Sequence, residues 1–164
     1  MLPTSLVFNW LAEANRMAPA LRVLILQGAN RADHFDRIQD HDLVLTTYPL
    51  LWRDIDVLAA QRFHVVILDE AQTVKNAASR SAAAVRRLQA RHRLCLTGTP
   101  LENHLGELWA QFDFLMPGFL GDMRHFQRHW RDPIEKNGET LRAQLLSQRV
   151  RPFILRRQIG RASC

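Results

Sequence analysis

The stretch His64-Val65-Val66-Ile67-Leu68-Asp69-Glu70-Ala71-Gln72 decides the fold. Val65 to Leu68 form an unbroken apolar run, mostly β-branched, and the run is too short for a helix. Continuous rather than alternating apolarity predicts a strand covered on both faces, the habit of parallel sheets. The run then passes directly into two adjacent carboxylates. In open parallel sheets the carboxyl ends of the strands form the ligand crevice, and packing alone explains a carboxylate pair there poorly.

Three further runs of the same kind lie at Arg22-Val23-Leu24-Ile25-Leu26, Asp42-Leu43-Val44-Leu45-Thr46 and Arg93-Leu94-Cys95-Leu96-Thr97. Between them the apolar spacing becomes helical. Val7, Trp10, Leu11, Ala14 and Met17 follow it, with Thr4 or Ser5 as the expected N-cap. An Ala-rich segment from Asn76, its expected cap, to about Ala90 favours helix. Leu105, Leu108, Trp109, Phe112, Leu115 and Met116 form a stripe capped by Asn103 and stopped near Pro117-Gly118. Strands alternating with helices predict an open α/β sheet. Beyond residue 118 no strand is expected. Met123, Phe126 and Trp130, then Leu141, Leu145 and Leu146, predict two helices joined through Asp132-Pro133 and Lys136-Asn137-Gly138.

Composition bounds the rest. A chain of 164 residues with 47% hydrophobic and 23% charged residues has the make-up of one globular domain, not of a disordered segment. No apolar run approaches the ~18 residues of a membrane span. The N-terminus lacks a basic-then-apolar leader, and Cys95 and Cys164 are too few for a disulfide framework, so a reducing, cytosolic setting is expected. The net charge is +6, and only Lys75 and Lys136 among the basic residues are lysines. A basic surface suits phosphate partners through counterion release, although a high-GC genome also writes Arg for Lys.

Paired carboxylates at a strand end suit phosphoryl transfer: one holds Mg²⁺ through its water shell while the next polarises the attacking water. The fourth run ends in Thr97-Gly98-Thr99-Pro100-Leu101-Glu102-Asn103. Its hydroxyls make a small polar turn at the same crevice edge, able to bond the Asp-Glu loop and to sense phosphate. An ordinary strand-to-helix turn is equally compatible with that string. Other constellations carry less. His125 and His129 have the i, i+4 spacing of a zinc pair but lack a third ligand and the intervening Glu of a metalloprotease. Cys95 lies within an apolar run and reads as core. Trp10, Trp109 and Trp130 lie on apolar faces and read as packing.

Taken in order, Asp69-Glu70-Ala71-Gln72 with Val74-Lys75-Asn76, Leu96-Thr97-Gly98-Thr99-Pro100-Leu101-Glu102-Asn103, Leu108-Trp109 and Phe114-Leu115-Met116-Pro117-Gly118 resemble the Swi/Snf-type family of helicase-like, DNA-dependent ATPases. Pro3-Thr4-Ser5-Leu6 with Asn9-Trp10 resembles that family's first nucleic-acid motif, Thr46-Thr47-Tyr48 its second, and Pro152-Phe153-Ile154-Leu155-Arg156-Arg157 the segment leaving its first motor lobe. The resemblance implies a RecA-like first lobe of a translocase that uses ATP and Mg²⁺ on double-stranded DNA, in bacterial cytosol and nucleoid or in a nucleus. It implies Asp69 for Mg²⁺, Glu70 as catalytic base, and Gln72 with Thr97, Gly98 and Thr99 as nucleotide coupling. It further implies Thr4, Ser5, Thr46 and Thr47 on DNA phosphates and Arg156-Arg157 at the junction with a second lobe. A protein partner on DNA, such as a polymerase or chromosomal protein, is implied as well; a membrane partner is not.

The resemblance also sets an expectation of incompleteness. The glycines are Gly28, Gly98, Gly106, Gly118, Gly121, Gly138 and Gly160, and both lysines precede Asn, so no G-x-x-x-x-G-K-[ST] phosphate cradle exists in this chain. The expected organisation is a truncated RecA-like lobe over 1–118, a helical appendage over 119–157, and a tail over 158–164 outside the fold. ATP turnover by this polypeptide alone is not expected, and self-association through exposed apolar edges is. The alternative is a non-enzymatic docking module for nucleic acid or protein. A metal-dependent nuclease built on Asp69-Glu70 would need further clustered carboxylates.

Overall fold

The computed structural model describes residues 1–74, 79–98 and 105–156. Contacts divide the chain into two compact units, Met1–Leu120 and Gly121–Cys164.

In the first unit all four expected strands form: β1 (Val23–Leu26), β2 (Leu43–Thr46), β3 (Arg62–Leu68) and β4 (Gln89–Cys95). β1 pairs with β2 and β3 with β4, both parallel. The backbone of Met1 and Leu2 joins the two pairs. Leu2 N–H donates to Thr46 O at 3.2 Å and lies in a parallel bridge with Thr47, while Asp69 N–H donates to Met1 O at 2.8 Å. The two parallel pairs, each two-stranded, are thus linked at their carboxyl ends in the order β1, β2, Met1–Leu2, β3, β4.

Helix α1 (Val7–Met17) covers one face beside β1 and β2, where Val7, Trp10 and Leu11 pack with Val23, Ile25, Leu43 and Leu45. The other face carries the main core. Leu24, Leu26, Val66 and Leu68 meet side chains from α2 (Tyr48–Leu51), α3 (Ile55–Ala59), α4 (Arg80–Arg87) and α5 (Leu105–Leu115). The bidentate pair of Arg31 with Asp54, at 2.7 and 2.8 Å, ties the 3₁₀ turns after β1 to the start of α3.

Several boundaries differ from the sequence reading. A 3₁₀ turn over Thr4–Leu6 precedes α1, and neither Thr4 nor Ser5 caps it; the N-cap is Leu6, with no side-chain bond. The Ala-rich helix is capped by Ser79, whose hydroxyl accepts from Ala82 N–H at 3.1 Å, and it ends at Arg87 because the chain turns extended at Leu88 to enter β4. Asn76, Asn103 and the tail lie outside the described residues.

The second unit is helical. It contains α6 (Met123–Phe126), a π turn over Gln127–Arg131, α7 (Asp132–Asn137) and α8 (Thr140–Val150). Asp132-Pro133 opens α7 rather than forming a loop, since proline is tolerated where a helix N–H has no partner. The break comes at Gly138, whose φ of 66° is the left-handed conformation a helix terminus favours. No helix among the described residues is long and apolar enough to cross a membrane.

Candidate functional site at the carboxyl end of β3

β3 delivers Asp69 and Glu70 to the carboxyl edge of the sheet, and contacts from three separate segments fix them there. Trp10 Nε1–H of α1 donates to Asp69 Oδ2 at 2.7 Å. The Tyr48 hydroxyl, at the start of α2, donates to Asp69 O at 2.7 Å. Glu70 N–H closes on Asp69 Oδ1 at 3.0 Å. Ala71 N–H reaches Leu96 O at 2.9 Å, fastening the loop to the strand next door.

From Glu70 a relay leads to the neighbouring turn. Gln72 Nε2 donates to Glu70 Oε2, and Gln72 Oε1 accepts from the Thr97 hydroxyl at 2.8 Å. An amide is suited to this place because it donates from one end and accepts at the other. The structure thus brings Asp69, Glu70, Gln72 and Thr97 into one bonded chain, with exposed Gly98 immediately beyond. Thr99 and Arg157 lie outside the described residues, and Arg156 is exposed in the second unit.

Glu70 adopts φ of 49°, the only positive value for a non-glycine among the described residues. A left-handed non-glycine costs about 1 kcal/mol, and such residues concentrate where geometry serves chemistry. Here the turn aims the carboxylate at Gln72 and leaves Oε1 open as an acceptor.

Of the hydroxyl residues at this edge, Thr4 and Ser5 are exposed, whereas Thr46 and Thr47 are 1% and 2% exposed. The Thr46 hydroxyl is buried without a hydrogen-bond partner. Two contributors escaped sequence reasoning: Trp10 reads as packing, and Tyr48 carries no assigned role. Both are amphipathic rings with one polar atom that seeks a partner when buried, which is the signal that could have flagged them. Burial pushes the Tyr48 phenol well above its ordinary range, with Cys95 and the Asp69 and Glu70 charges adding to the effect.

The side chains fit the Mg²⁺ that the family resemblance implies. Each Asp69 oxygen accepts one hydrogen bond, and a carboxylate has about four acceptor sites. Capacity remains for the water shell of a hard cation that takes its other ligands from phosphates. Elsewhere, the His125 and His129 rings stack at 4.0 Å, and no group of three or more metal-ligating side chains exists among the described residues.

A parallel α/β sheet with paired carboxylates at a strand end, bonded through a glutamine to the turn of the adjacent strand, is the architecture of a RecA-like lobe. The chain belongs to the family of the SNF2-related domain, whose model matches residues 1–161. It is 40% identical over 158 residues to YwqA of Bacillus subtilis, named for ATP-dependent helicase/translocase activity, covering 94% of this chain and 17% of that protein. It is 38% identical over 168 residues to the TATA-binding protein-associated factor MOT1 of Saccharomyces cerevisiae, covering 94% and 9%. Among solved structures, the Sulfolobus solfataricus SWI2/SNF2 ATPase core in complex with dsDNA superposes with a TM-score of 0.89 at 36% identity, over 95% of this chain and 32% of that one. The Sulfolobus solfataricus SWI2/SNF2 ATPase core domain gives 0.84 at 34% identity, over 98% of this chain and 33% of that one. The chain therefore spans less than a fifth of these curated relatives and about a third of the solved core.

Proposed function

We propose that this chain supplies the hydrolytic edge of an ATP-driven motor that moves on double-stranded DNA. The observation that carries the reading is the bonded chain Trp10–Asp69–Glu70–Gln72–Thr97, which ties the segment after Thr4 and Ser5 to the carboxylates and on to the turn beside Gly98. When ATP and Mg²⁺ are bound, the ion neutralises charge on the transferring phosphoryl group. Asp69, oriented by Trp10 and Tyr48, holds the water shell of that ion. Glu70 Oε1 accepts a proton from the attacking water, and the Gln72 bond to Oε2 fixes the carboxylate plane. Gln72 and Thr97, with Gly98 and Thr99, form the path by which nucleotide state reaches the DNA-facing loops.

Thr4 and Ser5 are offered to DNA phosphates through side chains. Buried Thr46 and Thr47 serve the same edge through the loop backbone they shape. Within this reading, 1–118 is a part of the first motor lobe, 119–157 a helical appendage carrying Arg156 and Arg157 toward a second lobe, and 158–164 a tail. The setting is the cytosol and nucleoid, or a nucleus, and the work is displacement of a protein bound to DNA. The likeness to a TATA-binding protein-associated factor and to a core bound to dsDNA supports that assignment.

The test is made with this chain set within a complete ATP-driven motor polypeptide. Glu70→Gln is expected to abolish DNA-stimulated phosphate release, a fall of at least about 100-fold for loss of a positioned base, while ATP binding persists. Unchanged turnover in that variant would remove Glu70 from the base role.

A further inference from the structure

In the helical unit, the segment running from Met123 through the π turn to Arg131 has two different faces. Phe126 is buried, and Gln127 and Trp130 are half-buried, whereas Arg124, His125, Arg128 and His129 are all exposed. These four form two i, i+4 pairs, so each pair stands in a row along the helix. The His125 and His129 rings stack at 4.0 Å with 20° between their planes. Together with Asp122 and Met123, the four side chains line an open groove of about 590 Å³. π turns are rare and occur mostly at functional sites.

The cations of this groove are uncommitted. Nearby, Arg131 pairs with Glu135 at 2.8 Å, Lys136 with Asp132 at 3.1 Å and Arg142 with Glu139 at 2.9 Å. Among the described residues, neither Arg124 nor Arg128 forms an ion pair. The one carboxylate in the groove, Asp122, is engaged as a helix cap, its Oδ1 accepting from His125 N–H at 2.8 Å. That bond, foremost, holds the Asp122 carboxyl below its ordinary range. His129 Nδ1 lies 3.0 Å from His125 O; a carbonyl only accepts, so Nδ1 carries the proton and Nε2 is left to gain one. Gly121 seats the pair, since a Cβ there would fall 2.9 Å from the His125 ring. Two imidazoles at this spacing also suit a metal ion. Charge decides against it: the two guanidiniums repel a cation, and no third ligand joins the pair among the described residues. An oxyanion, by contrast, satisfies guanidinium and imidazolium together.

We infer that this groove is a phosphate-contact site and that its ligand is the backbone of double-stranded DNA. Arg124 and Arg128 stand about 6 Å apart along the helix, at 1.5 Å per residue, and so can engage successive phosphates of one strand. A repeating polyanion matches that row, whereas an isolated phosphate would use only one end of it. His125 and His129 add N–H donors to the same groove and strengthen it when they take up protons. The inference rests on the reading that the chain works on double-stranded DNA, and it adds a contact in the helical unit to those at Thr4 and Ser5.

The experiment uses this chain with a short DNA duplex, and with inorganic tripolyphosphate as the free-phosphate probe. Duplex binding is followed by fluorescence anisotropy across a salt series, and the imidazole signals of His125 and His129 by NMR at constant pH. The duplex is expected to shift both imidazole signals. Arg124→Gln with Arg128→Gln is expected to flatten the slope of log affinity against log salt by about 1.8, at ~0.9 per phosphate contact. Arg37→Gln with Arg91→Gln removes the same charge at exposed positions elsewhere and is expected to leave the slope nearly unchanged. Equal flattening in the two double variants would reduce the site to net charge and overturn the inference. Imidazole signals unmoved by bound duplex would do the same. Signals moved by tripolyphosphate but not by duplex would overturn the choice of DNA as ligand. A chain that binds no duplex at any salt would defeat the DNA reading itself, whereas duplex binding indifferent to Arg124 and Arg128 defeats only this inference.

Discussion

Glu70 is the residue where local backbone geometry and the proposed role meet. Its φ of 49° turns the chain out of β3 so that the carboxylate meets Gln72, and a glutamate pays for that conformation in sterics. Two substitutions separate the backbone contribution from the lost carboxylate. Glu70→Ala and Glu70→Gly both remove the side-chain bond, but only glycine adopts this φ without strain, so the Gly variant should be the more stable by about 1 kcal/mol. Chemical denaturation of both variants checks it; an Ala variant as stable as the Gly variant would show that the turn is unstrained. The carboxylates, Gln72 and Thr97 are legible in the sequence because each follows an apolar run within a few residues. The partners of Asp69 are not, because Trp10 and Tyr48 lie 59 and 21 positions away and meet it only through the tertiary fold. Cys95 is legible as an inert core thiol, and burial pushes it up to about 12.

At the scale of elements, continuous apolarity locates every strand but not every strand end. β4 begins at Gln89, four residues ahead of its apolar run, because Arg62 and Phe63 of β3 offer it ladder partners there. Its polar residues Gln89, Arg91 and His92 are exposed, so hydropathy cannot reveal them. The same extension shortens the Ala-rich helix, whose propensity for helix yields to pairing. The entry of β1 and β2 is fixed differently, by Arg22 on Asp42: Nε to Oδ2 at 3.0 Å, Nη2 to Oδ1 at 3.1 Å, and the Arg22 backbone N–H to Oδ2 at 2.9 Å. These bonds, the side-chain one foremost, lower the Asp42 carboxyl to about 2. A carboxyl lowered in the folded state adds stability above its unfolded value near 3.8, and that contribution disappears as pH falls through about 2. Arg22→Gln keeps the backbone bond and removes the guanidinium, so the Asp42 midpoint should rise toward 3.8 without reaching it. Carboxyl ¹³C shifts followed by NMR measure this directly, and an unmoved midpoint would assign the shift to the backbone bond alone.

For the whole molecule, the sheet gathers the acidic and relaying groups of the proposed phosphoryl-transfer site, while the sequence has no G-x-x-x-x-G-K-[ST] loop to hold the phosphates. Hydrolysis in this class draws on backbone N–H groups of a glycine-rich loop and on a lysine that reaches the β- and γ-phosphates. Neither Lys75 nor Lys136 follows such glycines. Loss of one well-placed donor to a developing anion costs about 100- to 1,000-fold, and here a whole cradle is in question. The net charge of +6 still permits salt-dependent binding to DNA, since that attraction needs only basic side chains. Binding and turnover should therefore separate in this chain. Its phosphate release from ATP and Mg²⁺ is expected to match that of its Glu70→Gln variant, with and without double-stranded DNA, while its retention on DNA falls as salt rises. DNA-stimulated release above the Glu70→Gln background would show that the carboxylate edge carries out hydrolysis without a glycine-rich cradle.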